Sequence, residues 1–302
     1  MNSKTPYRGR LAPSPTGFLH IGHARTFYEA YRRAREHNGI LILRNDDLDR
    51  GRSRTEFALA AMQDLRALGI EWQEGPDTGG PYEPYNQSER QRLYLAYWRR
   101  LHATGCIYPC EHSRKDIVDA LQAPHEEDAS TQSSTTHSPV NGEQIYPVEL
   151  RPSVSIGRDA TEPGNVNWRF RLPYGESIEF HDGHYGPRHY VAGRDFGDFL
   201  VWRKDGYPSY EFAVVIDDIE MRISEVVRGS DLLLSTARQI CIYRQLQAPI
   251  PEFYHCELVR SADGRRLAKR DSALTIREVL KKISPEELRN RLMQTTSIGG
   301  FD

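Results

Sequence analysis

The sequence predicts an α/β protein in which a parallel-sheet domain is interrupted by an α+β insertion. Three observations carry that expectation. The N-terminal segment reads as strand, loop, helix, strand, and two strands joined through a helix pair in parallel. From Trp168 the pattern changes to two-residue alternation (Trp168, Phe170, Leu172, then Ile178, Phe180), which marks antiparallel strands. The parallel pattern resumes at Glu225-Val226-Val227-Arg228. The expected division is 1–105 with 196–302 for the parallel domain and 106–195 for the insertion.

Taken in order, Arg10-Leu11-Ala12 is a short strand. It runs into Pro13-Ser14-Pro15-Thr16-Gly17, which cannot continue as a central strand. A helical pattern starts at Gly22, with Ala24, Phe27, Tyr31 and Ala34 on one face and Asn38-Gly39 as its stop. Ile40-Leu41-Ile42-Leu43 is an unbroken apolar run, as in a strand buried on both faces. Ser53 with Glu56 forms a capping box for a second helix that closes at Gly69. Ser88 with Gln91 opens a third, which buries Leu93, Tyr97 and Leu101 and stops at Gly105. Residues 122–144 hold almost nothing to bury and read as a mobile insertion. Beyond it the alternating strands read as an antiparallel sheet laid over the parallel core, with turns at Asp182-Gly183 and Asp205-Gly206. Gly229-Ser230-Asp231 begins a helix carrying Leu234, Ala237 and Cys241. Thr275 with Glu278, and Ser284-Pro285 with Glu287, are two further helix starts.

Composition narrows the function. The 302 residues are 38% hydrophobic and 27% charged, a globular composition long enough for a full enzyme core. Lys and Arg number 40 against 42 Asp and Glu, so any nucleic acid must be held by local patches rather than bulk charge. No stretch approaches the roughly 20 apolar residues that span a bilayer. Met1–Arg8 lacks an apolar signal core and the four cysteines make no disulfide framework, so the expected compartment is the cytoplasm, with no membrane partner.

The chemistry is concentrated in Pro13-Ser14-Pro15-Thr16-Gly17-Phe18-Leu19-His20-Ile21-Gly22-His23, between the first strand and first helix. Open α/β sheets bind ligands at that edge, and a helix N-terminus suits a phosphate. His20 and His23 add donors for charge developing on a phosphoryl group, and Gly22 leaves its backbone open to close approach. This segment resembles the HIGH signature of class I aminoacyl-tRNA synthetases in its glutamate-specific form, whose catalytic domain is Rossmann-like. Pro208–Asp218 is similar to the strand and loop that build the family's glutamate pocket. Val227-Arg228-Gly229-Ser230-Asp231-Leu232-Leu233 resembles its VIRGEDHL segment, and Arg266-Leu267-Ala268-Lys269-Arg270 stands in the place of its KMSKS loop. The resemblance spans residues 7 to about 282.

What the resemblance implies can be set beside the physical chemistry. A dicarboxylic amino acid needs arginine and an acid nearby, and Arg10 and Arg228 lie at predicted strand ends where they can grip carboxylates rigidly. The resemblance makes Arg10, Leu11, Ala12, Pro13, Ser14, Asp46, Tyr210 and Arg228 the glutamate site. It makes His20, Gly22, His23 and Lys269 the ATP site, with His20, His23 and Lys269 catalytic and Mg2+ accompanying the pyrophosphate. Two departures stand out. Asp46 replaces the family's Glu, so its ammonium contact is expected through water, while Arg266 and Ala268 replace a lysine and a serine.

The family's short members often hold zinc through C-x-C and a later Y-x3-C. Here Cys110-Glu111-His112 and Tyr146-Pro147-Val148-Glu149-Leu150 occupy those places, and Leu150 has no donor atom. Cys106 or Glu149 could substitute, but nothing in the spacing demands it, so no metal is expected. Only 32 residues follow Arg270, which implies a catalytic domain without an anticodon-binding domain. That pattern is similar to the glutamyl-queuosine tRNA(Asp) synthetase family, which activates L-glutamate with ATP and esterifies it onto queuosine at the wobble position of tRNA(Asp). The resemblance implies a monomer acting on queuosine-containing tRNA(Asp). Arg99, Arg100, Lys281 and Lys282 are candidate contacts for the tRNA stem. The alternatives are a shortened glutamyl-tRNA synthetase charging a tRNA 3′ end, a catalytically weakened regulatory paralogue, and a nucleotidyltransferase acting on a small metabolite.

Overall fold

The computed structural model describes residues 6–113, 115–118, 145–259 and 274–294. The segments read above as a mobile insertion (122–144) and a basic loop (266–270, with Lys269) lie outside them.

β1 (Arg8–Leu11), α1 (Ile21–Glu36) and β2 (Ile40–Leu43) form the expected βαβ unit, with β1 and β2 in parallel register from Arg8–Ile40 to Leu11–Leu43. Both strands lack polar residues on one face, and α1 lays Ala24, Phe27, Ala30 and Ala34 into the same core as Leu41 and Leu43. On the other side of β1 runs β8 (Glu225–Gly229). The Ser224 N–H donates to Arg8 O at 2.9 Å, and Arg10 Nη1 donates to Val227 O at 3.1 Å, so the two strands point the same way. β9 (Glu252–Cys256) pairs in parallel with β8. The carboxyl ends of these strands therefore open on one edge, above the N-terminus of α1.

The middle of the chain corrects one expectation. β3 (Ile107–Cys110), β4 (Asn167–Phe170) and β7 (Leu200–Trp202) form a three-stranded antiparallel sheet, but the hairpin of β5 (Ser177–Asp182) and β6 (Gly186–Val191) does not lie over the parallel core. It extends the parallel sheet at its edge, in the order β6-β5-β9-β8, through a rung between Asp182 and Phe253. Buried Asp182 is the reason: it accepts the His255 N–H on β9, and such a group stays inside only when paired.

Local signals also gave way to tertiary ones. α2 (Thr55–Ala67) starts after Arg54, which makes no side-chain cap, and Ser53 Oγ has no hydrogen-bond partner, so the expected box is not formed. α3 (Gln91–Thr104) follows a 3-10 turn; Ser88 instead gives its N–H and hydroxyl to Asp47 at 2.8 and 2.6 Å. Its stop is as expected, with Gly105 in the left-handed region at φ 73°. α3 seats Trp98 edge-on to Trp168 of β4 at 4.8 Å, an aromatic contact of about 0.5–1.5 kcal/mol beyond the area it buries.

Residues 210–218 lie in a helix rather than in a strand and loop. α4 (Tyr210–Glu220) is capped by the Ser209 hydroxyl, which accepts the Phe212 N–H, and residues 212–218 are buried. Past β8, Ser230–Leu232 makes a 3-10 turn into α5 (Leu233–Gln245). α6 (Ile276–Val279) lacks the expected Thr275 side-chain cap, whereas the Glu287 N–H of α7 (Pro285–Gln294) does donate to Ser284 Oγ at 3.1 Å.

Candidate active site

His20 is the N-cap of α1. Its Nδ1 accepts the Gly22 N–H at 3.1 Å, and His23 Nδ1 accepts the His20 N–H at 3.3 Å, a reciprocal cap built from two imidazoles. A nitrogen that accepts carries no proton, so these contacts assign the Nε2–H tautomer to both rings. The rings stack at 3.8 Å. A methyl group on Gly22 would lie 2.9 Å from His20 Cε1, so the His20 ring itself calls for glycine at this position.

The two arginines singled out from sequence approach the same edge. Arg10 is buried, with Nη1 on Val227 O and Nε 3.4 Å from Asp218 Oδ1, an ion pair without hydrogen-bond alignment. Arg228 is buried as well. Its Nε donates to His255 Nε2 at 3.2 Å and its Nη2 to Thr236 Oγ1 at 2.7 Å, while Nη1 has no hydrogen-bond partner. A buried guanidinium N–H left open is costly, about 1–3 kcal/mol, unless a ligand completes it.

A cavity of about 230 Å³ joins these parts. Arg10, Ala12, His20, Gly22, His23, Asp46, Tyr210 and Arg228 all line it, together with Asp231 and Glu257. Three expected residues do not: Leu11 is in the core, Pro13 is buried and holds Asp46 by its carbonyl at 3.0 Å, and Ser14 is exposed. Asp46 is not open to solvent either. Its carboxylate takes Arg44 Nε at 2.7 Å and Nη2 at 3.3 Å, and burial pushes it up to about 6 against the pull of Arg44.

Arg44, fully buried, was missed from sequence. It also donates to Asp218 at 2.8 Å and lies 3.7 Å from Asp217, which Arg90 and Tyr94 hold from the far side. The signal was present: Asp217 and Asp218 interrupt an apolar helix that would otherwise carry no charge there. A larger cleft of about 760 Å³ opens on the other side of residues 45–47, lined by Asn45, Asp47, Arg50 and Arg54.

At the end of β3, Cys110 Sγ is 3.3 Å from Tyr146 Oη and accepts Arg169 Nε at 3.3 Å, while Tyr146 donates to Leu150 O at 3.2 Å. Among the described residues no group of three His, Cys, Asp or Glu is placed to hold a metal. Of the four expected stem contacts, Arg99 pairs with Glu162, Arg100 lies over the Tyr97 ring at 4.5 Å and Lys281 pairs with Glu278 at 2.8 Å. No described helix is long and apolar enough to cross a membrane.

Residues 7–296 match the family described as tRNA synthetases class I (E and Q), catalytic domain. The chain belongs to this family. Among class I synthetases it is 44% identical to the glutamyl-Q tRNA(Asp) synthetase of Symbiobacterium thermophilum, over 89% of this chain and 79% of that one. It is 39% identical to the enzyme of that name from Nitratidesulfovibrio vulgaris, over 97% and 84%. The solved glutamate tRNA ligase of Elizabethkingia meningosepticum, in complex with its amino acid, superposes with a TM-score of 0.72 at 30% identity. That match covers 89% of this chain and 53% of the ligase, so the chain spans about half of that synthetase.

Proposed function

We propose that the protein joins L-glutamate to ATP as glutamyl-adenylate and transfers the glutamyl group to the queuosine base at the wobble position of tRNA(Asp). The observation that carries this reading is the single cavity where two buried arginines meet the imidazole-capped helix start, in a chain so similar to glutamyl-Q tRNA(Asp) synthetases. Arg228 Nη1 completes its shell on a substrate carboxylate. The α-carboxylate attacks the α-phosphorus of ATP, the bond to the bridging oxygen breaks, and pyrophosphate leaves. His20 and His23 donate from Nε2 to oxygens that gain charge, and catalysis rests on positioning and fixed dipoles. A queuosine hydroxyl then attacks the anhydride carbonyl, the bond from that carbon to the phosphate oxygen breaks, and AMP departs as its phosphate takes up the hydroxyl proton.

Lys269 carries the pyrophosphate in this reading, on the strength of its motif. Asp231 and Glu257, two of the carboxylates lining the cavity, would hold a magnesium ion through its water, and the ion would supply charge neutralisation for the triphosphate. The insertion residues do not fit zinc. Supporting that view, Leu150 offers no side-chain donor and the Arg169 guanidinium, stacked over Tyr146 at 4.4 Å, puts a cation against the Cys110 sulfur. The reading includes a monomeric cytoplasmic protein with a 106–195 insertion.

Two measurements test it. Glutamate-dependent ATP–pyrophosphate exchange without RNA is expected. Glutamylation is expected with queuosine-containing tRNA(Asp) and not with the unmodified form; acylation independent of the modification would overturn the acceptor assignment.

A further inference from the structure

We infer that Asp182 and His255 are positioning residues that aim Arg228 at the glutamate carboxylate, an inference that rests on the function proposed above. The chain of contacts starts in the insertion. Asp182, fully buried at the end of β5, accepts the backbone N–H groups of His184 and Tyr185 at 3.0 and 2.8 Å and that of His255 at 3.2 Å. Its Oδ2 also takes the His255 Nδ1–H at 2.5 Å. Three backbone donors keep this carboxylate ionised and immobile, so it can only accept.

That decides the histidine tautomer. Nδ1 must carry the proton, which leaves Nε2 as an acceptor facing Arg228 Nε–H at 3.2 Å. Thr236 Oγ1 lies 3.1 Å from the same Nε2 and takes Arg228 Nη2. A guanidinium is planar, so anchoring Nε and Nη2 determines where Nη1 points. The remaining nitrogen is the buried one without a partner, and its residue lines the cavity. β5, β8 and β9 each supply one member, so the edge-joined hairpin is what brings Asp182 to the arginine.

The contribution is to glutamate and not to the nucleotide, because no member of the relay other than Arg228 lines the cavity. His255→Asn keeps a donor for Asp182 but withdraws the acceptor from Arg228. Thr236→Val keeps the Asp182–His255 pair and removes the Nη2 anchor without changing the side-chain shape. In pyrophosphate exchange, each variant is expected to raise the glutamate KM about tenfold, the loss of one hydrogen bond to a charged group, with ATP KM and kcat within about twofold of wild type. An unchanged glutamate KM in a folded variant overturns the inference. So does a matching loss in kcat or ATP KM, which marks a merely structural role. If His255→Asn fails to fold, Thr236→Val decides alone by the same criterion. Wild-type protein without glutamate-dependent exchange refutes the functional reading and this inference together, whereas an active wild type with unaltered variants refutes only the inference.

Discussion

Gly22→Ala puts a methyl group where the His20 ring already lies, 2.9 Å from Cε1 where an ordinary contact is about 3.4 Å or more. The ring is tied to the Gly22 N–H at 3.1 Å, so it moves by roughly half an ångström and that bond is lost. Stability changes little. Losing an N-cap costs about 1 kcal/mol, and replacing glycine by alanine in a helix returns about 0.5–1 kcal/mol. Catalysis does not share that offset. Removing one preorganised donor to a developing oxyanion costs about 10²–10³ in kcat, and a displaced donor retains part of that, so a fall of about 10–100-fold is expected. The assay is glutamate-dependent pyrophosphate exchange at saturating substrates, beside a thermal melt. His20→Asn is the control: asparagine still caps the helix but has no Nε2–H, so the full 10²–10³ loss is expected with little change in melting. Activity within about twofold of wild type in His20→Asn would refute the role given to His20.

Asp46 titrates near 6 in the fold against 3.8 when unperturbed, so between those values the native state holds the extra proton. Stability from this group therefore falls as pH rises from about 4 to 6 and the penalty persists above, and the difference in melting temperature between wild type and Asp46→Asn should follow that course. A difference independent of pH would contradict the buried ion-pair geometry. Glutamate KM should fall over the same rise in pH, as the carboxylate becomes able to face an ammonium. Arg44→Met leaves Asp46 unpaired and Asp218 with only the looser Arg10 contact, and denaturant unfolding should show a loss of about 3–5 kcal/mol; less than about 1 would contradict the network. Purified protein should carry no stoichiometric zinc and melt alike with and without chelator, and about one equivalent surviving dialysis would overturn that reading.

Much of the candidate site could be read from the chain because its parts are local. His20, Gly22 and His23 act through bonds between neighbours at one helix start, and spacing alone conveys that. The parallel pair β1–β2 followed from an apolar run on either side of a helix. Expectations failed where a distant group competed for a local signal. Ser88 could have capped a helix but lies against Asp47, 41 residues away.

The sequence by itself determined a βαβ core, a helix start built on two histidines and the arginines that line the cavity, since each depends on periodicity or on neighbours within a turn. Only the tertiary structure decided which atoms of Arg228 stay open, because His255 reaches it across 27 residues and is itself held by Asp182, 73 residues before it. The same holds for the three aspartates around Arg44. A buried charge is stable only among partners gathered from several elements, and that gathering exists nowhere but in the folded chain.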